Sequence, residues 1–380
     1  LLANIKICDP AVGSGAFPLG MLNEIVRARQ VLSVHLKREI PPYKLKLHTI
    51  SNSIYGVDID PGAVEIAKLR LWLSLVVEEN KPHPLPNLDH KIMQGNSLIS
   101  EYEGIKLFDE TLLEQKEKKE VQIGMNFGSS ADIKLEKLQL AIEEFINQSQ
   151  RSKKQELKEN IDNLKWELIE ATLEEQSRKD KLEEIKILRR KNIKPFFIWK
   201  LEFTDVFKEK GGFDVVIGNP PYIQLQKNEG ELANMLENCK YKSFARTGDI
   251  YCLFYELGNE LLNKQSHLAF ITSNKWMKAG YGEKLRMYLA ENTTPKSLID
   301  LGPGVFETAT VDTNILLFQK GKVEKPCIAC SVKENLVKNN IHLVDYIAKN
   351  KVELNKFTSE SWIILDPIEM KIKEKIEKTG

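Results

Sequence analysis

The order of apolar and polar positions in the first hundred residues predicts alternating strands and helices. Residues 5–8 form a short apolar run that predicts a first strand, and apolar residues at helical spacing predict a helix over residues 19–36. A polar loop is expected next, followed by a strand at residues 53–60, a helix that opens at Pro61 and a third strand at residues 90–94. This order is typical of a doubly wound α/β fold with a parallel sheet.

The strand and helix alternation stops in the middle of the chain. Residues 131–194 contain neither Gly nor Pro, and their apolar residues recur every three or four positions. This pattern predicts an amphipathic helical hairpin that turns near residues 148–153. We expect it to be an insertion that projects from the α/β core, with its balanced charges on a solvated face.

The α/β pattern resumes after the insertion and weakens near the end of the chain. Strands are predicted at residues 213–217, 267–272, 297–301 and 313–319, helices at residues 248–262 and 281–291, and a charged helix at residues 368–378. We therefore expect four parts: a first half of the core at residues 1–104, the helical insertion at 105–194, a second half of the core at 195–325 and a connector at 326–380.

Composition restricts the functional classes. The chain has 380 residues, a net charge of +1 and 29% charged residues, which is typical of a globular protein without a global basic field. Five scattered cysteines favour a reducing compartment and hence a cytoplasmic location. No apolar run has membrane-spanning length, and no signal peptide is recognisable. Because the chain starts almost directly in a strand without Met, we expect an excised fragment.

The first strand leads into a loop with the chemistry of a cofactor site. Its glycines permit a tight turn and a close approach of a ligand to the backbone. A dinucleotide-binding G-x-G-x-x-G would need glycine where Pro18 stands. The loop reads Asp9-Pro10-Ala11-Val12-Gly13-Ser14-Gly15-Ala16-Phe17-Pro18.

Polar residues also end the next two predicted strands, where open α/β sheets bind ligands. Asp58 ends the second strand and can accept hydrogen bonds from ribose hydroxyls, and its charge would repel the 2′-phosphate of NADP. Asn96 follows the third strand and can bond the edge of an adenine. Asp58 could instead cap the following helix, although Asp60 fits that role better.

A fourth strand ends abruptly in Asn219-Pro220-Pro221-Tyr222. Proline has no N–H and fixes φ, so the strand cannot continue, and the residue before it is held in an extended conformation. A rigid tip with an amide side chain, free carbonyls and an aromatic ring results. On this segment alone, a proline turn that merely ends a core strand is the alternative interpretation.

These segments together carry a resemblance to a known family. The glycine loop, with Asp9 and Pro10 before it and Phe17 after it, resembles the first motif of S-adenosylmethionine-dependent methyltransferases. Asn-Pro-Pro-Tyr resembles the signature of methyltransferases acting on a nitrogen conjugated to a π-system. In this order, over residues 1–105 and 195–325, they resemble Eco57I-type adenine-N6 DNA methyltransferases. The resemblance implies a Rossmann-like sheet of seven mostly parallel strands with helices on both faces.

The resemblance also implies roles for individual residues. It implies a catalytic motif whose Asn and first Pro accept both N6 hydrogens, and whose Tyr stacks on a flipped adenine. It implies S-adenosyl-L-methionine as cofactor and no metal. The catalytic residues are Asn219, Pro220, Pro221 and Tyr222; the cofactor residues are Asp9, Pro10, Ala11, Gly13, Ser14, Gly15, Phe17, Asp58, Ile59, Asn96, Ser97, Asn219 and Pro220; the target-base pocket contains Tyr222, Asp249 and Phe306.

The implied partner is double-stranded DNA, within a restriction-modification or phage-defence system and without any membrane. By comparison with the family, a cofactor motif before Leu1 and a target-recognition domain after Gly380 are missing. We therefore expect this chain alone to bind cofactor weakly and to methylate poorly or not at all. If the whole protein also cuts DNA, we expect that activity to lie outside this chain.

Three alternatives stay open at this point. Glutamine-N5 methyltransferases also carry Asn-Pro-Pro-Tyr, cytosine-N4 methyltransferases commonly have serine in place of Asn219, and a non-catalytic scaffold in a defence complex could retain the fold. A single Cys327-Ile328-Ala329-Cys330 without a second pair or a nearby histidine cluster does not support a zinc site.

Overall fold

The structure is a computed structural model that describes residues 2–376 apart from 37–38, 78–85, 114–129, 149, 304, 306–310, 324, 335, 337–338, 340, 367, 370–371 and 373–374. The chain divides into two compact units, Leu1–Phe213 and Asp214–Gly380. Among the described residues, every helix is too short or too polar to cross a lipid bilayer.

Unit 1 begins with three parallel strands that alternate with helices, as expected. Its elements are β1 (Ile7–Asp9), α1 (Ala16–His35), α2 (Pro42–Ser53), β2 (Ile54–Asp58), α3 (Pro61–Val76) and β3 (Ile92–Gln94). β2 pairs in parallel with both β1 and β3, so the residues that follow all three strands lie along the same edge.

The polar loop expected before the second strand is wrong, because α2 occupies most of it. Pro42 lies in the first turn of this helix, where its missing N–H is not needed. Leu45, Thr49 and Ile50 recur at helical spacing and are buried against the core that α1 and α3 also cover. Lysines and a histidine between these positions made the segment look polar.

The insertion contains the expected hairpin and one further helix. A two-strand ribbon comes first, followed by the three helices of the insertion and two short helices near the end of unit 1. These elements are β4 (Glu101–Tyr102), β5 (Ile105–Lys106), α4 (Ser130–Asn147), α5 (Arg151–Glu175), α6 (Lys179–Arg190), α7 (Trp199–Glu202) and α8 (Thr204–Lys210). The connection between α4 and α5 lies where the turn was predicted.

The charges of the insertion are not all solvated. Lys165 on α5 is 2% exposed, and its Nζ lies 2.5 Å from a carboxylate oxygen of Glu202, which is equally inaccessible. Lys194 also binds Glu202. Burial alone would raise the pKa of Glu202, but the two lysines lower it to about 2. The insertion is therefore attached to α7 of the core by a buried ion pair.

Unit 2 contains the remaining strands and helices. Its strands and helices are β6 (Phe213–Gly218), α9 (Glu231–Glu237), α10 (Tyr251–Leu261), β7 (Leu262–Ser273), α11 (Glu283–Asn292), β8 (Thr293–Gly302), β9 (Thr313–Lys320), β10 (Cys327–Ser331), α12 (Leu343–Asn350) and β11 (Val352–Leu354). β9 pairs antiparallel with β7 and β8, while β10 pairs in parallel with β8 and antiparallel with β11.

The sheet has nine strands rather than the seven expected. The two additional strands, β10 and β11, come from residues 326–380, which looked weakly patterned and were expected to be a connector. Pairing with β8 and β11 buries three residues of β10, Cys327, Ala329 and Cys330. The charged helix expected at residues 368–378 lies mostly outside the described residues.

Candidate functional site

The glycine loop between β1 and α1 is held against the end of β2. The Gly13 N–H donates to Asp58 Oδ2 at 2.7 Å, and the Gly15 N–H donates to the Val12 carbonyl at 2.9 Å. Gly15 has φ +83°, and a Cβ there would lie 3.0 Å from the Cα and Cβ of Ala67 on α3. Gly13 has φ +49°, but a Cβ there would meet nothing within 4 Å. Gly15 is therefore required for packing, whereas Gly13 leaves open space above the loop.

Asp58 keeps capacity for a ligand although both of its oxygens accept backbone hydrogen bonds. Its second oxygen accepts from the Asp60 N–H at 3.0 Å. A carboxylate offers roughly four acceptor positions, so about two remain for ribose hydroxyls. Asp60 accepts from the Gly62 N–H at 2.8 Å and precedes Pro61, which confirms it as the cap of α3. Ile59 between the two aspartates is 65% exposed and offers apolar surface.

Asp9 is an unusual carboxyl group at the end of β1. It is 1% exposed, and its Oδ1 accepts from the Ala11 N–H at 3.0 Å. Burial raises the pKa of Asp9 to about 7, the Ala11 N–H opposes this shift, and the nearby charge of Asp58 adds to it. Asp9 therefore changes charge near neutral pH, and a cationic ligand beside it would favour the carboxylate.

The loop after β3 is joined to the glycine loop. Ser97 is buried, and its hydroxyl donates to the Pro10 carbonyl at 2.6 Å. Asn96 accepts from the Leu98 N–H at 3.2 Å through its side-chain oxygen, so its amide nitrogen is the group that can donate to a ligand. Ser97 thus links the two loops, and Asn96 offers a hydrogen-bond donor as well as its remaining acceptor position.

The rest of the predicted cofactor residues lie on the same loop. Ser14 accepts from Arg70 Nη1 at 3.0 Å, and Phe17 is half-buried in the first turn of α1. Together, the open space at Gly13, the unused acceptor positions of Asp58 and the exposed Ile59 fit an adenosine-type ligand. The residues of unit 1 therefore fit S-adenosyl-L-methionine.

The catalytic candidate in unit 2 is the segment that follows β6. The strand ends at Gly218; Pro220 is buried and Pro221 exposed. The Tyr222 hydroxyl donates to the Asn219 Oδ1 at 2.8 Å and lies 3.5 Å from the Ile271 carbonyl of β7. Burial, together with the charge of Asp249, raises the pKa of Tyr222 to about 12, so the hydroxyl stays protonated. The side-chain oxygen of Asn219 thus accepts a hydrogen bond from another residue of the same motif, Tyr222.

Asp249 supports the segment that follows Tyr222. Its Oδ1 accepts from the Ile223 N–H at 2.8 Å, and the Ile250 N–H donates to the Ile223 carbonyl at 2.9 Å. Burial raises the pKa of Asp249 although backbone N–H groups oppose the shift. Asp249 therefore lies beside the catalytic segment, while Phe306, the other residue predicted for the base pocket, lies outside the described residues.

Two aromatic neighbours of Tyr222 were not predicted as site residues. The Tyr251 ring lies edge-on to the Tyr222 ring, with 5.8 Å between centroids. The hydroxyls of Tyr251 and Tyr281 are 2.7 Å apart. Their sequence signals were weak: Tyr251 follows Asp249 by two positions, and Tyr281 lies between two glycines.

A buried polar network fixes the strand ends behind this segment. Asn314 on β9 is 0% exposed, and its Oδ1 accepts from Thr272 Oγ1 and Trp276 Nε1, each at 3.1 Å. Tyr255 on α10 is hydrogen-bonded to Thr272 at 3.0 Å. These bonds join α10, β7 and β9 around the Asn314 oxygen, whereas the buried Asn314 Nδ2 has no hydrogen-bond partner among the described residues.

The described residues contain no cluster of side chains that could hold a metal ion. Cys327 and Cys330 are buried in β10, and their three-residue separation places them on opposite faces of the strand.

Comparison with known proteins gives one matching family model, Eco57I restriction-modification methylase, which covers residues 52–306. RM.MjaORFECS2P of Methanocaldococcus jannaschii, whose assigned role is type II restriction enzyme and methyltransferase, is 30% identical over 364 residues, which are 84% of this chain and 30% of that protein. The type II restriction enzyme and methyltransferase RM.Eco57I of Escherichia coli is 34% identical over 111 residues, which are 28% of this chain and 11% of that protein. The chain thus spans less than a third of either relative.

A solved structure shows the same fold. The ATP-dependent Type ISP restriction-modification enzyme LlaBIII bound to DNA aligns with 95% of this chain and 20% of its own, at a TM-score of 0.51 and 12% identity. The chain shares its α/β fold with that enzyme, and S-adenosyl-L-methionine is the cofactor that the matched methylase family implies. The chain belongs to the Eco57I restriction-modification methylase family.

Proposed function

We propose that this protein methylates the N6 amino group of an adenine flipped out of duplex DNA, as part of a restriction-modification system. The observation that carries the proposal is the Asn-Pro-Pro-Tyr segment at the end of β6, whose asparagine oxygen is held by the tyrosine hydroxyl. The relatives named as restriction enzymes and methyltransferases support DNA as the substrate.

Unit 1 would hold the cofactor. Asp58 would accept from the ribose hydroxyls, Asn96 would donate to the adenine ring, and the open space over Gly13 would admit the ligand to the backbone. When bound, S-adenosyl-L-methionine supplies a methyl group on a positively charged sulfur, which is a strong electrophile. Asp9, buried nearby, can balance positive charge in its ionised form.

Unit 2 would hold the target base. Adenine N6 is a poor nucleophile because its lone pair is delocalised into the ring. The Asn219 Oδ1 and the Pro220 carbonyl can accept its two hydrogens, which favours a tetrahedral nitrogen whose lone pair is available. No strong base is required, and positioning with fixed dipoles supplies the catalysis.

The aromatic residues would hold the flipped base. Stacking on Tyr222 contributes about 1–3 kcal/mol, which offsets part of the few kcal/mol that extrusion from the duplex costs. The Tyr222 hydroxyl donates a hydrogen bond to the Asn219 Oδ1, so an incoming amino group would share that acceptor or displace the hydroxyl from it. The hydroxyl therefore keeps the Asn219 side chain oriented until the base arrives.

The proposal is tested with the purified full-length protein, unmodified duplex DNA and cofactor labelled on its methyl group. After digestion to nucleosides, we expect the label in N6-methyldeoxyadenosine. Label in N4-methyldeoxycytidine would assign the protein to cytosine methylation, and label in glutamine of a protein would assign it to the glutamine-N5 class. No transfer from a protein that binds the cofactor would leave a scaffold role.

A further inference from the structure

The residues that follow β7 form a tight turn that carries two exposed lysines. Residues 274–281, called here the lysine loop, begin with a 3₁₀ turn, Asn274–Met277. The Lys278 and Ala279 N–H groups donate to the Lys275 carbonyl at 3.1 and 2.8 Å. Lys275 lies within this turn, and Lys278 is the residue that ends it, with a φ of −120°. Both are exposed, whereas the two residues between them are buried.

The backbone of the lysine loop is fixed from behind. Arg286 is 4% exposed, and its Nη1 donates to the carbonyls of Trp276 and Ala279 at 2.5 and 2.9 Å. The Trp362 N–H donates to the Met277 carbonyl at 2.9 Å. A loop held in this way presents its side chains without a further cost of ordering the backbone.

Both ends of the lysine loop are linked to the catalytic segment. Ile271, three residues before the loop, has its carbonyl 3.5 Å from the Tyr222 hydroxyl. Tyr281, the last residue of the loop, is hydrogen-bonded to Tyr251, whose ring packs against Tyr222. The loop therefore borders the place where the target base is proposed to bind.

Along the sequence, the lysine loop and the residues after it carry more lysines than acidic residues, and Asp300 of β8 accepts from Asn274 Nδ2 at 2.9 Å. Within the described part of the chain, neither Lys275 nor Lys278 forms an ion pair. Residues 274–284 contain three lysines and one glutamate, whereas the segment that follows β6, residues 219–249, contains four basic and four acidic residues. In a chain of net charge +1, such a local patch is what binding to a phosphate backbone requires.

We propose that Lys275 and Lys278 bind backbone phosphates of the DNA strand that carries the target adenine, next to the flipped nucleotide. This inference rests on the proposed function and identifies residues of unit 2 that bind its substrate. Duplex DNA carries one negative charge per ~1.7 Å of its axis, so two exposed lysines three residues apart can reach neighbouring phosphates. The contacts position the strand and carry no sequence information.

The test compares the full-length protein with its Lys275→Ala/Lys278→Ala variant and a Lys349→Ala/Lys351→Ala control. The control lysines are also exposed but lie beside β11, the edge strand of the sheet. Dissociation constants are measured by fluorescence anisotropy from 50 to 200 mM salt, with one duplex that contains the recognition site and one that does not.

Loss of two phosphate contacts should lower the slope of log K against log salt by about 1.8, at roughly 0.9 per phosphate. Over this salt range the wild type should then lose ~12-fold more affinity than the variant, equally on both duplexes, and the control should match the wild type. Lys275→Arg/Lys278→Arg should keep the wild-type slope.

An unchanged slope of log K against log salt in the alanine variant would overturn the inference. A decrease of this slope in the arginine variant as large as in the alanine variant would also overturn it, because the loss of charge would then not be the cause. The outcome is separable from that of the proposed function. Normal N6-methylation with an unchanged slope removes the role of the lysine loop alone. Absence of methyladenine with the expected slope change removes the proposed reaction and keeps the DNA contact.

Discussion

Substituting the two loop glycines by alanine should separate packing from ligand binding. Gly15 has a positive φ, and a Cβ would lie 3.0 Å from backbone and side-chain atoms of Ala67. A left-handed conformation costs an L-residue about 1–2 kcal/mol, and overpacking adds about 1–3 kcal/mol. The lower entropy of the unfolded alanine chain offsets about 0.4–1 kcal/mol of this, so we expect Gly15→Ala to lower the free energy of unfolding by about 1–4.6 kcal/mol.

Gly13→Ala is the matched control, because Gly13 also has a positive φ but a Cβ there meets nothing within 4 Å. The left-handed cost of about 1–2 kcal/mol is partly offset by the lower entropy of the unfolded alanine chain, about 0.4–1 kcal/mol. The net destabilisation should be about 0–1.6 kcal/mol. The new methyl group would instead fill the space above the loop, and we expect the affinity for S-adenosyl-L-methionine to fall at least ~10-fold, or about 1.4 kcal/mol.

Urea unfolding measures the first quantity and isothermal titration calorimetry with the cofactor measures the second, both on the full-length protein. The reasoning is refuted if Gly13→Ala unfolds at as low a urea concentration as Gly15→Ala. It is also refuted if Gly13→Ala binds the cofactor as tightly as the wild type, since the open space would then not be a binding site.

Three further predictions concern named side chains. The raised pKa of Asp9 favours its neutral form in the folded state, so the free energy of unfolding falls as pH rises from about 4 to about 7. Urea titrations of Asp9→Asn should show up to ~4 kcal/mol less of that fall. An unchanged dependence of the free energy of unfolding on pH would contradict this. The lowered pKa of Glu202 gives a stability contribution that is complete above its unfolded pKa and lost as pH falls toward 2. Glu202→Gln leaves Lys165 buried without a counter-charge and should lower the free energy of unfolding by about 3–5 kcal/mol. Replacing both residues by apolar ones should restore most of that free energy. A Glu202→Gln protein as stable as the wild type would argue against the buried pair. Tyr222→Phe keeps the ring and frees the Asn219 oxygen, so kcat/KM should stay within about threefold of wild type. Tyr222→Ala should lower kcat/KM about 5- to 150-fold, because it loses ~1–3 kcal/mol of stacking. Equal losses in both variants would assign the effect to the hydroxyl.

The local part of the candidate site could be predicted from the sequence. Strands that end in a polar residue, followed by glycine or proline, are encoded within a few positions, so the loop at Gly13, Asp58 and the segment at Asn219 were identifiable. The capping role of Asp60 also follows from Pro61 beside it, and the structure confirms it.

The long-range part could not be predicted in this way. β10 is a strand because it pairs with β8, 31 positions earlier, and its own pattern is weak. The hydrogen bond between Tyr251 and Tyr281 joins residues on two elements, and neither residue signals the other. Lys165 looked like one solvated charge among many until the position of Glu202 was known.

The hydrogen bond from Tyr222 to Asn219 lies between these two cases. The residues are three positions apart, but their contact depends on side-chain conformations that the prolines and the Ile271 carbonyl impose. The sequence identifies the two groups, and the structure adds that the Tyr222 hydroxyl is hydrogen-bonded to the Asn219 Oδ1.

The central claim is that Asn219 presents an acceptor to an adenine amino group, and mapping of modified bases tests it most directly. The full-length protein and its Asn219→Ala variant are expressed in a host without DNA methylation, and the genomic DNA is analysed by single-molecule sequencing. We predict N6-methyladenine at one recognition sequence with the wild type, and its loss with Asn219→Ala while calorimetry still detects cofactor binding. N4-methylcytosine with the wild type, or undiminished N6-methyladenine with Asn219→Ala, would contradict the account.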